Sequence, residues 1–291
     1  MKKIILDTDL GSDCDDAGAI ALMHRLAELG ETEILAVTHC TSEIGGAITV
    51  KAINEYYGRA DLPVGQYSEK PFLDNEICKR FTKHIMENYL ENHKMPKIEN
   101  ATKLMRKVLA QNSDVTLIAI GFLNNYAELL RSQPDEISPL TGIELIKKHV
   151  KELYAMGGNF IDLTNAEYNV KMDIESAKYV SENFPLPITY IGYELGETIR
   201  TGESLKTASE NNPVKKIYSL RQADRLRESW DPITLYCAIR DSNTLFKKSE
   251  KCKITFNDNG CVVINGRGKD CYLIANTTDE EVREELEKYM V

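Results

Sequence analysis

The stretch DTDLGSDCDDAGAI, residues 7–20, carries five aspartates, Asp7, Asp9, Asp13, Asp15 and Asp16, directly behind the apolar run Ile4-Ile5-Leu6. Carboxylates this close repel one another unless a cation or a set of N–H donors holds them together. A strand ending at about Asp7 and a helix beginning near Asp15 or Asp16 offer backbone N–H groups and a favourable dipole to one or two of them. The rest need another explanation. An oxygen-rich set of this kind suits a hard divalent cation, Ca²⁺ or Mg²⁺. The plainer alternative is a capped helix start with solvated aspartates. The loop is not an EF-hand, because Gly11 falls at its fifth position and Gly18 stands where the bidentate Glu belongs.

The elements that must position this loop alternate short apolar runs with helix-period segments, the pattern of βαβ units in a parallel sheet. KKIIL, EILAVTH, LPVG, DVTLIAIG, KELYAMGG and LPITYIGY read as buried strands. Helical patterns lie between them: DDAGAIALMHRLAEL ends at Gly30, GAITVKAINEYYG at Gly58, and ATKLMRKVLAQ, NNYAELLRSQ and DIESAKYVSENF follow. Residues 204–230 are polar, read as helix and loop. DPITLYCAIR is a helix with Asp231 at its start, KITFNDNGCVVIN a hairpin turning at Asn259-Gly260, and TDEEVREELEKYM a Thr-capped final helix. The fold expected is α/β: an open, mostly parallel Rossmann-like sheet with helices on both faces and a small C-terminal β-hairpin. With no Pro/Gly/Ser-rich linker or repeat, residues 1–291 read as one domain. Sites in such sheets lie just beyond the carboxyl ends of strands, where the acidic loop falls.

Composition narrows the function. A 42% hydrophobic share against 28% charged supplies a large core, and a formal charge of -9 argues against nucleic acid or an anionic membrane as partner. Seven cysteines without a CxxC pair signal neither a disulfide framework nor a zinc ribbon and fit reduced thiols in the cytoplasm. The apolar part of MKKIIL is too short for a signal peptide, and no stretch reaches membrane-spanning length. One alternative chemistry fits part of the loop. Asp7-Thr8-Asp9 matches the strand-then-DxD pattern of haloacid-dehalogenase-like phosphatases, with Asp7 as nucleophile and Asp9 as acid/base, but it leaves Asp13, Asp15 and Asp16 without a role.

The whole cluster resembles the N-terminal D-x-D-x-G-x-D-D signature of the inosine–uridine preferring nucleoside hydrolases. Further segments follow in the family's order: EYYGRADLPVG (55–65), VTLIAIGFLNN (115–125), LYAMGG (153–158), AEYN (166–169) with DIESAKYV, and SWDPITLY (229–236). The resemblance spans residues 3 to about 240. It implies a hydrolase cleaving the N-glycosidic bond of ribonucleosides or related N-ribosyl compounds, in purine or pyrimidine salvage, with Ca²⁺ (Mg²⁺ being possible) beneath a ribose pocket. On matching positions Asp9, Asp16 and Asp231 are metal ligands, joined by the backbone carbonyl of Ile120. Asp15 accepts from a ribose hydroxyl, Glu167 and Asn169 hold the sugar, and Asn159 or Asn165 touches it. Relatives assemble as dimers or tetramers, which implies a homo-oligomer here.

That chemistry needs such residues. Breaking a ribose–base bond passes through an oxocarbenium-like state, which surrounding carboxylates stabilise. Asp9 is the candidate base for the attacking water. Read alone, Asp231 simply caps a helix that Pro232 opens, and Glu167 and Asn169 are ordinary loop residues. Two departures from the pattern stand out. Two extra residues separate Gly11 from the Asp15-Asp16 pair, so Asp13 either shares a role or turns outward. Trp230 stands where many relatives have a His that protonates the leaving base; it can stack on a flat ring but cannot act as an acid. That substitution keeps open a non-catalytic ribosyl-binding protein. His39, at the same sheet edge, is a possible substitute acid, although a packing histidine is the simpler reading. His24, His84, His93 and His149 receive no role. Cys14 reads as a small apolar filler, and GRGKD (266–270) as a turn.

Overall fold

The computed structural model describes residues 1–90, 96–221, 223–240 and 244–291; His93 lies outside them. The strands run β1 (Lys2–Thr8), β2 (Thr32–His39), β3 (Val64–Gln66), β4 (Glu99–Asn100), β5 (Val115–Ala119), β6 (Val150–Met156), β7 (Ile188–Ile191), β8 (Arg200–Thr201), β9 (Arg227–Glu228), β10 (Phe246–Lys248), β11 (Cys252–Phe256), β12 (Val262–Arg267) and β13 (Cys271–Ala275). Among the described residues nine of them form one sheet in the order β10-β13-β7-β6-β5-β1-β2-β3-β4. Every neighbour pair in it is parallel except β10–β13. β11 and β12 make the hairpin anticipated around Gly260, whose φ of 79° meets the demand of the turn. A second small ribbon pairs β8 with β9.

The strands are apolar on both faces because helices cover both. Along β1, Ile4 and Leu6 enter one core and Ile5 enters the other, the period-2 alternation of a strand between two layers. The first core packs the helices Asp15–Glu28, Ile44–Tyr56, Pro213–Arg221 and Trp230–Arg240; the second packs Ala101–Gln111, Asn124–Arg131 and Ile174–Asn183. The first two helices end as anticipated, with Gly30 and Gly58 at φ of 75° and 72°. The last, Asp279–Glu287, opens on a capping box between Thr278 and Glu281. The helices Thr82–Asn88, Gly142–His149 and Tyr168–Met172 and the strands β10 and β13 were not anticipated. They are short, and a run such as CYLIA carries no period that separates strand from helix.

Chain order places the reversal of the sheet at β1: β2, β3 and β4 extend on one side, β5, β6 and β7 on the other. The carboxyl ends of β1 and β5 therefore flank a crevice. Asp7 stays behind it. It is fully buried in β1, where Oδ1 accepts from Thr38 Oγ1 at 2.5 Å and from Asn125 Nδ2 at 2.8 Å, tying three neighbouring elements together. Burial pushes its pKa up to about 7 against those two bonds. Asp7 is a structural bond acceptor and leaves the phosphatase reading without an exposed nucleophile. The Asp7→Ala variant, which strands both donors, should lose about 2–4 kcal/mol of unfolding free energy. Asp7→Asn keeps the acceptor oxygen and should lose less than about 1 kcal/mol. Urea unfolding followed by circular dichroism measures both.

Candidate functional site

The acidic loop is placed by what precedes and follows it. β1 delivers Asp9 to the crevice, and the helix starting at Asp15 lifts Asp15 and Asp16 into its first turn. Thr8 Oγ1 donates to Asp16 Oδ1, which fixes that carboxylate against the strand end. The helix Trp230–Arg240 packs along the helix Asp15–Glu28 and brings Asp231 in its own first turn to the same spot. Carboxylate oxygens of Asp15, Asp16 and Asp231 lie within 4.8 Å of one another, all three residues being buried. Asp231 N–H donates to Asp15 Oδ2 at 3.3 Å, joining the two helix starts directly.

Asp9 stands outside this tight trio but faces the same cavity of about 320 Å³, as does Ile120 at the end of β5. Gly121 follows, and a Cβ there would sit 2.7 Å from Asp9 Oδ1 and 2.7 Å from Cys40 Sγ. Only a residue without a side chain lets the Asp9 carboxylate rest against β5. Burial, followed by mutual repulsion, pushes Asp9, Asp15, Asp16 and Asp231 well above the ordinary carboxylate range when only protein atoms surround them. Convergent buried carboxylates that would otherwise have to take up protons are a fitting shell for a hard cation.

The far side of the cavity is built by β6 and its loop. Met156 lines it, with Glu167, Tyr168 and Asn169. Glu167 is buried, with its carboxylate capping the short helix Tyr168–Met172 through Asn169 N–H at 2.8 Å and Val170 N–H at 3.1 Å. Burial raises its pKa to about 7 despite these bonds. Asn169 Nδ2 lies 3.3 Å from Met156 Sδ, a weak acceptor that leaves the amide available. Asn159 is not brought in. Its Oδ1 accepts from Ile161 N–H at 3.1 Å and Asp162 N–H at 2.7 Å, holding a turn outside the cavity lining, and Asn165 is exposed on that loop. An Asn two residues before a turn reads the same in sequence whichever duty it has.

Trp230 lines the cavity beside Asp231. Its ring stacks on Tyr193 with centroids 5.4 Å apart, and its Nε1–H donates to the Tyr193 carbonyl at 2.6 Å. Around it stand Arg221 and Arg227, with Arg80 at the exposed mouth, residues for which the sequence offered no signal. Asp13 turns to these arginines: Arg227 Nη2 bonds its Oδ2, and Arg221 Nε lies 3.6 Å from its Oδ1. The two-residue extension of the loop therefore separates Asp13 from the trio. Cys14 is buried in the apolar core, as anticipated.

A scan against protein-family models matches the inosine-uridine preferring nucleoside hydrolase family over residues 4–284. The chain belongs to that family. Among solved structures it is similar to a plant nucleoside hydrolase, the PpNRh1 enzyme, at 19% identity and a TM-score of 0.73, covering 99% of this chain and 97% of that one. The effector protein XOO4466 follows at 15% identity, TM-score 0.72, with 99% and 93% covered. The type III effector protein XopQ, solved in complex with adenosine diphosphate ribose, stands at 15% identity, TM-score 0.70, with 99% and 93% covered. These likenesses establish the fold, and no curated protein matches the sequence. Among the described residues no helix is long and apolar enough to cross a membrane, and no disulfide joins the cysteines.

His39 is not part of the cavity. It is buried, with Nε2 2.9 Å from the Leu10 carbonyl, and burial lowers its pKa to about 4. His24, buried and 2.8 Å from Asn54 Oδ1, is likewise lowered by burial to about 4. Between the unfolded value near 6.5 and the folded value near 4 the unfolded chain binds protons that the folded chain refuses. The contribution of these two histidines to stability is therefore full above about pH 6.5 and falls as pH drops toward 4, while buried acids such as Asp7 and Glu167, raised to about 7, act in the opposite sense over the same range. Denaturant unfolding of the parent and His39→Gln side by side isolates the His39 share: the stability difference between them should change by more than about 1 kcal/mol from pH 7 to pH 4, in the direction that favours the variant at low pH.

Proposed function

We propose that this protein is a metal-dependent hydrolase that cleaves the N-glycosidic bond of ribonucleosides or related N-ribosyl compounds, giving ribose and a free base. The observation that carries the reading is the meeting of Asp231 with Asp15 and Asp16, from opposite ends of the chain, within 4.8 Å. Family membership supports the reaction class. Asp9, Asp16, Asp231 and the Ile120 carbonyl are the proposed shell for a Ca²⁺ ion, with Mg²⁺ as the other hard cation the same oxygens accept. A divalent ion there supplies the positive charge that keeps the carboxylates ionised and raises the acidity of the attacking water.

The chain's own groups then divide the work. Asp15, which lines the cavity beside Asp16 and Asp231, accepts from a ribose hydroxyl. Glu167 and Asn169 line the same cavity and hold the other side of the sugar, so that a substrate lacking a hydroxyl there would forgo those hydrogen bonds. Asp9 takes the proton of the attacking water. The carboxylates stabilise the positive charge that develops on the sugar ring as the bond to the base breaks. Trp230 and Tyr193 offer a flat face for the departing base.

Trp230 also favours a second reading, a ribosyl-binding protein without turnover, since no imidazole stands at that position. A nucleoside panel scored for reducing sugar and free base separates the two: the hydrolase releases both, the binding protein neither. Asp9→Asn should keep the fold and lower kcat by about 10²-fold or more. Asp16→Ala should lose the metal in elemental analysis of the purified protein and abolish the rise in melting temperature that added Ca²⁺ gives the parent. Turnover by Asp9→Asn at the parental rate would remove Asp9 from the base role.

A further inference from the structure

The reaction needs something to accept the electron pair of the breaking bond. No imidazole lines the cavity among the described residues. The Tyr193 hydroxyl donates to Glu197 Oε1 at 3.1 Å, so its proton is already engaged, and the Trp230 Nε1–H, held by the Tyr193 carbonyl, is not an acid. What does stand at the stacking face is a fixed cation. The Arg227 guanidinium carbon lies 5.1 Å from the centroid of the Trp230 ring, with Nη2 bonded to Asp13 and Nη1 to Glu228. Both ends of the fork are held, so the group is oriented before any ligand arrives. Burial works against the Arg227 charge, but Asp13 and Asp15 outweigh it and raise its pKa further. Its two partners leave several of the five guanidinium N–H groups unused, and Nε–H is buried without an acceptor.

We propose that Arg227 stabilises the departing base as its anion, doing by charge what an acid would do by proton transfer, with Asp13 as the residue that positions it. This rests on the N-ribosyl hydrolase reading. In the step, the water oxygen bonds to the anomeric carbon while its proton goes to Asp9. The bond from that carbon to the ring nitrogen breaks with its electron pair going to the base. The base leaves as an anion beside Arg227 and takes a proton from solvent, to which Asp9 returns the one it accepted, so one water is consumed and ribose plus neutral base result. The preferred substrates are thus N-ribosyl compounds whose flat leaving group spreads a negative charge, such as purine and pyrimidine rings. The extra residues in the acidic loop have a purpose on this account: they carry Asp13 out of the trio and onto the guanidinium.

The test compares two leaving groups in the full-length, metal-loaded protein. Inosine and uridine need help in departing; p-nitrophenyl riboside releases a phenolate that is stable without it. Arg227→Gln should lower kcat/KM on the nucleosides by about 10²-fold or more, the size of losing one preorganised donor, and on p-nitrophenyl riboside by less than about 5-fold. Asp13→Asn should show the same bias on a smaller scale, and Arg227→Lys, which keeps the charge, should fall between. Tyr168→Phe should show no bias; a biased loss there would make its phenol the acid and overturn the proposal. Equal losses on both substrates in Arg227→Gln and Arg227→Lys, with folding confirmed by circular dichroism, also overturn it. If Arg227→Gln does not fold, the bias of Arg227→Lys decides. A parent that hydrolyses neither substrate ends the hydrolase reading itself, whereas a parent active on both with unbiased variants ends only this proposal.

Discussion

Four carboxylates, Asp9, Asp15, Asp16 and Asp231, face one crevice in a setting where burial and like charge both oppose ionisation. Left to themselves, such groups would separate or hold protons. They stay together because each is anchored by an element that has other reasons to be where it is. β1 is paired on both sides, the helix Asp15–Glu28 is buried over most of its length, and the helix Trp230–Arg240 is buried against it. The energy that holds the site is spread through two apolar cores, and the site itself is a local cost that they offset. A cation in the crevice relieves that cost, which is why the arrangement makes physical sense as a metal-binding shell.

The crevice is also two-sided in charge. Its floor is acidic, whereas the wall by Trp230 holds Arg221 and Arg227 in bonds with Asp13 and Glu228. A reaction that makes the sugar positive and the departing group negative is served by that polarity. The arginine wall comes from the end of the helix Pro213–Arg221 and from β9, and Asp13 of the acidic loop meets it.

Much of the architecture was legible from pattern alone. Six apolar runs became parallel strands of the main sheet, and the helix 101–111 appears with the boundaries the sequence indicates. Gly30, Gly58 and Gly260 end or turn elements at positive φ as their positions suggest. Short elements were missed where local signal is weak: β4 has two residues, and β13 extends the parallel sheet through a segment whose neighbour β7 lies far away in the chain. Pairing partners at that separation are chosen by the core, and no window of the sequence contains them.

The sequence by itself determined which residues could matter at the site: a strand, a loop crowded with aspartates, a helix start, and a late Asp-Pro opening another helix. These are local matters of periodicity, capping and charge density, and a linear reading reaches them. Only the tertiary structure decided which of the five loop aspartates share a task. It turned Asp7 inward to Thr38 and Asn125, set Asp13 on Arg227, and buried His39 away from the cavity. It also brought Asp231 to Asp15 across 216 positions. Two neighbouring aspartates look alike in a string of letters; the packing of helices behind them determines which carboxylate finds a donor, which finds a cation, and which meets only its own kind.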